Sequence, residues 1–338
     1  MTSIKFSFSK IDASLAEQLA KQINDFAADW EFTSFMVGCL YPKNISKEQL
    51  ETYKKEFQFN LTKAIEQTGK KIDFEHPDLT FDIDFNWEKI FFKPRPVFVK
   101  GRYRKLKRGL PQTKYYCFKC KGDKCAQCNY KGVLADESVE ELIAKTAIPF
   151  FNSERMKFHG SGREDTDVLM LGSGRPFIIE FISPQKRTPD LKELESEINN
   201  LNKNKIELFN LEYSDKKEVD PLKHANHKKI YLASIECSEK PNLSMLENHL
   251  GKEINIVQQT PVRVVKRRAD KDRLHIIILK EISDVSNNSF KLLLQATAGC
   301  YIKEFISSDA NRTKPSISSL LSLSCRCTEL DVMSILDE

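Results

Sequence analysis

FHGSGREDTDVLMLGSGRP, residues 158–176, is the stretch from which the rest of this 338-residue chain can be read. Glycine is scarce, 12 in all, yet Gly160, Gly162, Gly172 and Gly174 crowd into this one segment. Such clustering means a backbone that must turn where side chains are not tolerated. Between the two Gly-flanked turns stand Arg163, Glu164, Asp165 and Asp167, and in an extended chain Asp165 and Asp167 project to the same side. The continuation RPFIIEFI, 175–182, reads as a buried strand, and Leu191, Leu194, Ile198 and Leu201 mark a helix after it.

Further strands are expected at Lys229–Glu236, Pro261–Val265, Leu274–Ile282, Phe290–Ala296 and Arg326–Val332, with helices near Ile302–Ser308 and Pro315–Leu323. Ser138 with Glu141 forms a capping box for a helix toward Ala147. The first hundred residues read as a small α/β unit. Leu15, Leu19, Ile23, Phe26 and Trp30 keep helical spacing, Glu31–Tyr41 is strand-like, and Ser46 with Gln49 caps a helix through about Thr68. Leu79, Phe81, Ile83 and Phe85 alternate as a half-buried strand, and Ile90–Tyr103 continues extended with Pro94 and Pro96 marking an edge. The expectation is an α+β chain in three parts: an accessory α/β domain over 1–108, a cysteine hairpin and linker over 109–135, and a domain with a central, mostly antiparallel sheet flanked by helices over 136–338.

Composition narrows the function. Hydrophobic residues are 40% and charged residues 30%, and no apolar run approaches the roughly 18 residues of a spanning helix, so a membrane protein is excluded. The N-terminal stretch has neither an h-region nor a small-residue cleavage site, so an intracellular, cytoplasmic location is expected, or a nuclear one in a eukaryote. Net charge is +5, but residues 100–128 carry ten cations, Arg102, Arg104 and Lys105 among them, against Asp123 alone. That block is +9, which leaves −4 elsewhere. A second block, Arg263–Arg273, includes Arg267 and Arg268. Two basic blocks on a nearly neutral chain suit a polyanion. Four of nine cysteines stand as Cys117-x2-Cys120-x4-Cys125-x2-Cys128, the spacing of a closed four-thiolate zinc site, which stabilises a fold and offers no open position for a substrate.

GRED, then DV and LGSGRPF, closely resemble the catalytic-aspartate motif of pseudouridine synthases, in the form found in the archaeal and eukaryotic tRNA pseudouridine-54/55 synthase family, the tenth eukaryotic type. Other segments agree in order: GRYRKLKRGLPQTK with the cysteine hairpin, SVEELI at 138–143, KIYLAS at 229–234, TPVRVVKRRAD at 260–270, AGCYIKEFISSDANRTKPSIS at 298–318 and ELDV at 329–332. The upstream part resembles the family's THUMP-type RNA-binding domain, with FMVGCLYP and the PD at Pro77–Asp78 as its marks. Family members commonly carry an additional N-terminal CxxC, whereas here only Cys39 precedes residue 117, which implies a shortened accessory domain.

The resemblance implies isomerisation of uridine to pseudouridine in the T-arm of tRNA, at position 55 and potentially 54, with base flipping and with no nucleotide cofactor or catalytic metal; zinc is structural. It implies that Asp165 is the catalytic carboxylate, acting as nucleophile or as base at the 2′ position. Lys303 is then its cation, Ile302 and Leu330 line the uracil pocket, Tyr231 stacks on the base, and Arg163 fills the vacated stack. Arg102, Arg104, Lys105, Arg267, Arg268 and Arg312 become RNA contacts. His159 reads as structural. Oligomeric state is not legible. Two rival readings fit parts of the sequence. A metal nuclease using Asp165 or Asp167 with Glu180 lacks the usual lysine two residues on, since Ile182 stands there. A non-catalytic zinc and THUMP-type RNA-binding protein would keep the basic blocks and lose Asp165, Tyr231 and Lys303, all of which are present.

Overall fold

Two periodicities build the molecule, and they build it twice. The structure, a computed structural model, describes residues 2–266 and 268–336. In the first part, β1 (Thr2–Lys5), α1 (Ala13–Phe26), β2 (Ser34–Leu40), α2 (Lys47–Thr52), α3 (Gln58–Glu66), β3 (Lys71–Ile72), β4 (Leu79–Asp84) and β5 (Lys89–Pro94) form a sheet in the order β1-β5-β4-β2-β3. Ser46 and Gln49 make the expected capping box, and a π turn carries α2 into α3. Leu15, Leu19 and Ile23 of α1 and Leu61 and Ile65 of α3 bury against Phe35, Phe81 and Phe92 in a core of its own.

The second part contains β6 (Val97–Lys105), α4 (Val139–Phe151), β7 (Arg155–Gly160), β8 (Leu169–Ile182), α5 (Leu191–Leu201), β9 (Ile206–Ser214), α6 (Val219–His224) and β10 (Lys229–Cys237). It continues with α7 (Ser244–Glu247), β11 (Glu253–Gln259), β12 (Asp272–Ser283), β13 (Ser289–Ala296), α8 (Ile302–Ser307), β14 (Thr313–Lys314), α9 (Ile317–Leu321) and β15 (Cys325–Ile335). Its ten strands run β14-β11-β12-β13-β10-β15-β8-β6-β9, with β7 on β8. Every pairing is antiparallel except β8 with β15. The α+β architecture with a mostly antiparallel sheet is therefore as expected.

Two expectations change. Residues 90–103 are not one extended run with a proline edge: β5 lies inside the first sheet, and β6 lies inside the second, between β8 and β9. Pro94 and Pro96 mark the passage from one sheet to the other, so by sheet and core the division falls just before Val97 and not at residue 108. Pro261–Val265 is no strand, because the carbonyl of Pro261 accepts from both Val264 and Val265 N–H, which makes a turn. Among the described residues no helix is long and apolar enough to cross a membrane.

Candidate active site

The site lies at the parallel seam between β8 and β15 of the large sheet. Leu169 and Met170 of β8 pair with Asp331 and Val332 of β15, and from Phe177 onward the same edge of β8 is taken by β7. Gly172 and Gly174 occupy the gap with φ +51° and +66°. A Cβ on Gly172 would stand 1.7 Å from the Met333 carbonyl oxygen, and one on Gly174 would stand 2.7 Å from the Phe209 ring. The carbonyls released from pairing find side chains instead. Arg104 Nε donates to Gly172 O at 2.7 Å, and Arg102 Nε donates to Ser173 O at 2.5 Å.

The chain before β8 sends Glu164 inward and Asp165 outward. Glu164 accepts from Arg175 Nε at 2.8 Å and from the Tyr103 hydroxyl at 3.1 Å, with Lys105 Nζ 3.7 Å away. All four side chains are buried. Lys105 Nζ also donates to the carbonyls of Leu110, Asp165 and Thr166 at 2.8, 3.1 and 3.2 Å. A buried cluster of this kind, one carboxylate between two cations and a phenol, fixes the backbone that carries Asp165.

Asp165 meets two cations. Lys303 Nζ lies 3.5 Å from its Oδ2, and the same ammonium reaches both oxygens of Asp167 at 2.8 Å. Desolvation raises the Asp167 carboxyl, but Lys303 outweighs it and holds the group below its ordinary value. Arg263 NH2 stands 3.3 Å from Asp165 Oδ2 and its Nε 2.6 Å from Glu304. Asp165 is about two-fifths exposed, so this paired carboxylate is reachable from solvent.

Tyr231 lies on β10 opposite Val332, and Leu330 lies on β15 opposite Ala233, so adjacent strands bring them beside the seam. Burial pushes the Tyr231 phenol up despite the Arg175 guanidinium, and the Asp165 charge adds to the rise, so its hydroxyl stays protonated. Ile302 opens α8 next to Lys303; it and Leu330 are buried. Arg163 is exposed at the turn before Asp165. The structure thus sets Asp165 against Lys303, with Tyr231 and Leu330 on the adjacent strands β10 and β15 and Ile302 beside Lys303 on α8.

The expected RNA contacts fare unevenly. Lys105 is fully buried and bonded as described, so it cannot reach a phosphate. Arg104 is tied to Gly172 O and Glu207, and Arg312 to Thr260 O at 2.7 Å and Asp270 at 2.5 Å. Arg268 is exposed, with NH1 3.0 Å from the Tyr301 hydroxyl. Arg267 lies outside the described residues. His159 sits 3.1 Å from Glu180, which also meets Lys157, so that carboxylate is engaged in structure. Sequence reading assigns no role to Glu164, Arg175, Tyr103 or Glu304, and gives Arg263 only as one charge in a run. The available signal was that three of the five flank motif residues: Glu164, Arg175 and Glu304.

Cys117, Cys120, Cys125 and Cys128 bring their sulfurs within 4.8 Å of one another, with three pairs at 3.8 Å. A tetrahedron with Zn–S bonds of about 2.3 Å has edges of about 3.8 Å, so the donor set fits zinc. Desolvation opposes ionisation of Cys128, yet N–H groups of Cys125 and Gly132 outweigh it and bring the thiol down to about 6. Thiolate-favouring N–H donors are what a zinc site needs. Lys114, Lys119, Lys121, Lys124 and Lys131 are exposed on this hairpin.

Residues 98–336 match the family model described as Pus10, C-terminal. A relative named tRNA pseudouridine synthase Pus10 from Methanocaldococcus jannaschii is 40% identical over 332 residues, covering 95% of this chain and 72% of that one. Another of the same name from Methanopyrus kandleri is 36% identical, covering 97% of this chain and 79% of its own length. Among solved structures, one described as a Cbf5-Nop10-Gar1 complex is similar at 16% identity and a TM-score of 0.34, covering 58% of this chain and 45% of that one, too slight a likeness to bear weight.

Proposed function

The chain belongs to the Pus10 family of tRNA pseudouridine synthases, and from that premise we propose how its own residues carry out the isomerisation, with Asp165 as the reacting carboxylate and the T-arm uridine at position 55, and potentially 54, as its target. The observation that carries the reading is the Asp165 carboxylate held between Lys303 and Arg263 at the solvent-facing end of a rigid seam.

The reaction breaks the bond from the ribose C1′ to N1 of uracil, turns the detached ring and joins C1′ to C5, while C5 loses a proton and N1 gains one. The ring needs a surface that holds its faces without fixing its rotation. Tyr231 supplies that, since stacking acts on the π-face, and buried Ile302 and Leu330 form the apolar wall behind it. The sugar needs an ionised carboxylate. Asp165 meets it as nucleophile at C1′ or as base at C2′, and deuterium at C2′ slows turnover only in the second case. Lys303 and Arg263 stand against the carboxylate as the base enters and water leaves. The target uridine must leave its stack at a cost of a few kcal/mol. Arg163, exposed beside Asp165, is placed to occupy the vacated space.

Exposed Arg268 and the hairpin lysines are the phosphate contacts in this reading, and the first domain acts as a THUMP-type RNA-binding element. Zinc at the four cysteines would fasten the hairpin and take no part in the chemistry. The test is pseudouridine mapping on an unmodified tRNA transcript, in chelator, beside Asp165→Ala. T-arm modification that vanishes in the variant, with tRNA affinity kept, is the expected result. Tight, salt-sensitive binding without modification would instead indicate a non-catalytic RNA-binding protein.

A further inference from the structure

Arg263 belongs to a turn that is itself held in place. Val262 N–H donates to Asp309 at 3.0 Å, Val264 and Val265 N–H donate to Pro261 O, and Arg312 clamps Thr260 O. From that turn the guanidinium divides its donors. Nε gives a 2.6 Å hydrogen bond to Glu304 Oε1, while NH1 and NH2 each face one oxygen of Asp165, at 3.4 and 3.3 Å. Glu304 is 5% exposed, and its other oxygen is buried with no hydrogen-bond partner among the described residues. A buried carboxylate left half-satisfied is costly unless its charge is answered, and Arg263 answers it. The guanidinium carbon also lies 5.7 Å from the Tyr301 ring centre, which limits its sideways freedom. Successive residues of α8 therefore bear on Asp165 by different routes, Lys303 directly and Glu304 through Arg263.

We infer that Arg263 is a second cation for Asp165 and that Glu304 is the positioning residue that aims it. The inference rests on Asp165 being the reacting carboxylate. Because Nε is committed to Glu304, the two terminal nitrogens present a planar fork that matches a carboxylate, an arrangement the single ammonium of Lys303 cannot give. Glu304 has no role of its own in this scheme, so its loss and the loss of Arg263 should be one loss.

The experiment measures single-turnover pseudouridine formation at saturating protein, with tRNA affinity alongside, for wild type, Arg263→Ala, Arg263→Lys, Glu304→Gln, the Arg263→Ala/Glu304→Gln pair and Asp165→Ala. Arg263→Ala should slow the step about 10- to 100-fold with affinity changed less than about threefold, and added guanidinium should restore part of the rate. Glu304→Gln should lose less, Arg263→Lys should lie between, and the double variant should be no slower than Arg263→Ala alone. A wild-type rate in Arg263→Ala, a loss lying wholly in affinity, or multiplying losses in the pair would overturn the inference. Arg263 is on the surface, so its variants remain informative even if Glu304→Gln fails to fold. An active Asp165→Ala would overturn the underlying assignment, whereas a dead Asp165→Ala beside a normal Arg263→Ala would overturn this inference alone.

Discussion

Lys303 divides its charge unequally, at 2.8 Å from both oxygens of Asp167 and 3.5 Å from Asp165. If Asp165 carries the chemistry, Lys303→Ala should cut the single-turnover rate by about 100-fold with little change in tRNA affinity, the size expected for losing a charge-assisted contact to the reacting group. Asp167→Asn should leave the rate within a few-fold of wild type, because it frees Lys303 for Asp165; a loss as deep as that of Lys303→Ala would give Asp167 a chemical role. Tyr231 is tested by shape: Tyr231→Phe keeps the π-face and should stay close to wild type, while Tyr231→Leu should fall about 10- to 100-fold, matching a stacking contribution of about 1–3 kcal/mol. An equally inactive Phe variant would assign the hydroxyl a part in the chemistry. Asp165, Lys303 and Tyr231 stand out in the sequence because each sits in a recognisable motif. Arg263 does not, because its function depends on a turn that folds back 98 positions along the chain toward Asp165, and nothing local in TPVRVVKRRAD reports that. Lys105 misled for the complementary reason: charge in a basic run says nothing of burial, and this lysine points into the core beneath Glu164.

The seam of β8 is an element whose backbone, more than its side chains, decides the site. A Cβ on Gly172 would stand 1.7 Å from the Met333 carbonyl oxygen of β15, so Gly172→Ala should destabilise the protein by more than about 3 kcal/mol and lower its melting temperature. Gly251 has φ +72° as well but open space around it, so Gly251→Ala should cost only about 1 kcal/mol. Equal shifts in the two variants would mean that φ alone, and not the approach of β8 to β15, accounts for the glycine. Crowded glycines announced this irregularity in advance; where the strand went could not be read, since a partner change depends on β7 and β15, distant in sequence. β7, β9 and β11 had no sequence expectation either, although EINIVQQ alternates, because a strand's stability depends on the neighbours it packs against. The hairpin is a separate element with a separate test. Cys128→Ser should speed amide exchange locally around Cys117–Gly132 and weaken tRNA binding, while the rate at saturating protein stays near wild type. A lost rate would tie the hairpin to the catalytic cleft.

Ionised groups stand where the two cores meet. Asp78, the acid of the PD pair, accepts from Thr33 N–H within the first domain and lies 3.2 Å from Arg187 Nε of the second, while Glu31 accepts from Arg187 N–H at 2.6 Å. Burial works against the Asp78 charge, but Thr33, Arg95 and Arg187 outweigh it and bring the carboxyl down to about 2; Glu31 is lowered in the same way, chiefly by Thr188 and Arg187 against desolvation. A carboxyl with a depressed folded value contributes docking stability that is complete above its ordinary value near 4 and disappears as pH falls through the folded one. Docking should therefore loosen between about pH 4 and pH 2, seen as a rise in radius of gyration by small-angle scattering that precedes loss of the second core's circular-dichroism signal. Asp78→Asn should show the loosened state already at neutral pH, with weaker binding of whole tRNA and an unchanged single-turnover rate at saturation, since the seam and its cations lie wholly within the second domain. A rate that fell with docking would mean that the first domain orders the site itself. An unaltered radius in Asp78→Asn would mean that the backbone bond from Glu31 N–H to Gln185 O suffices to hold the two domains.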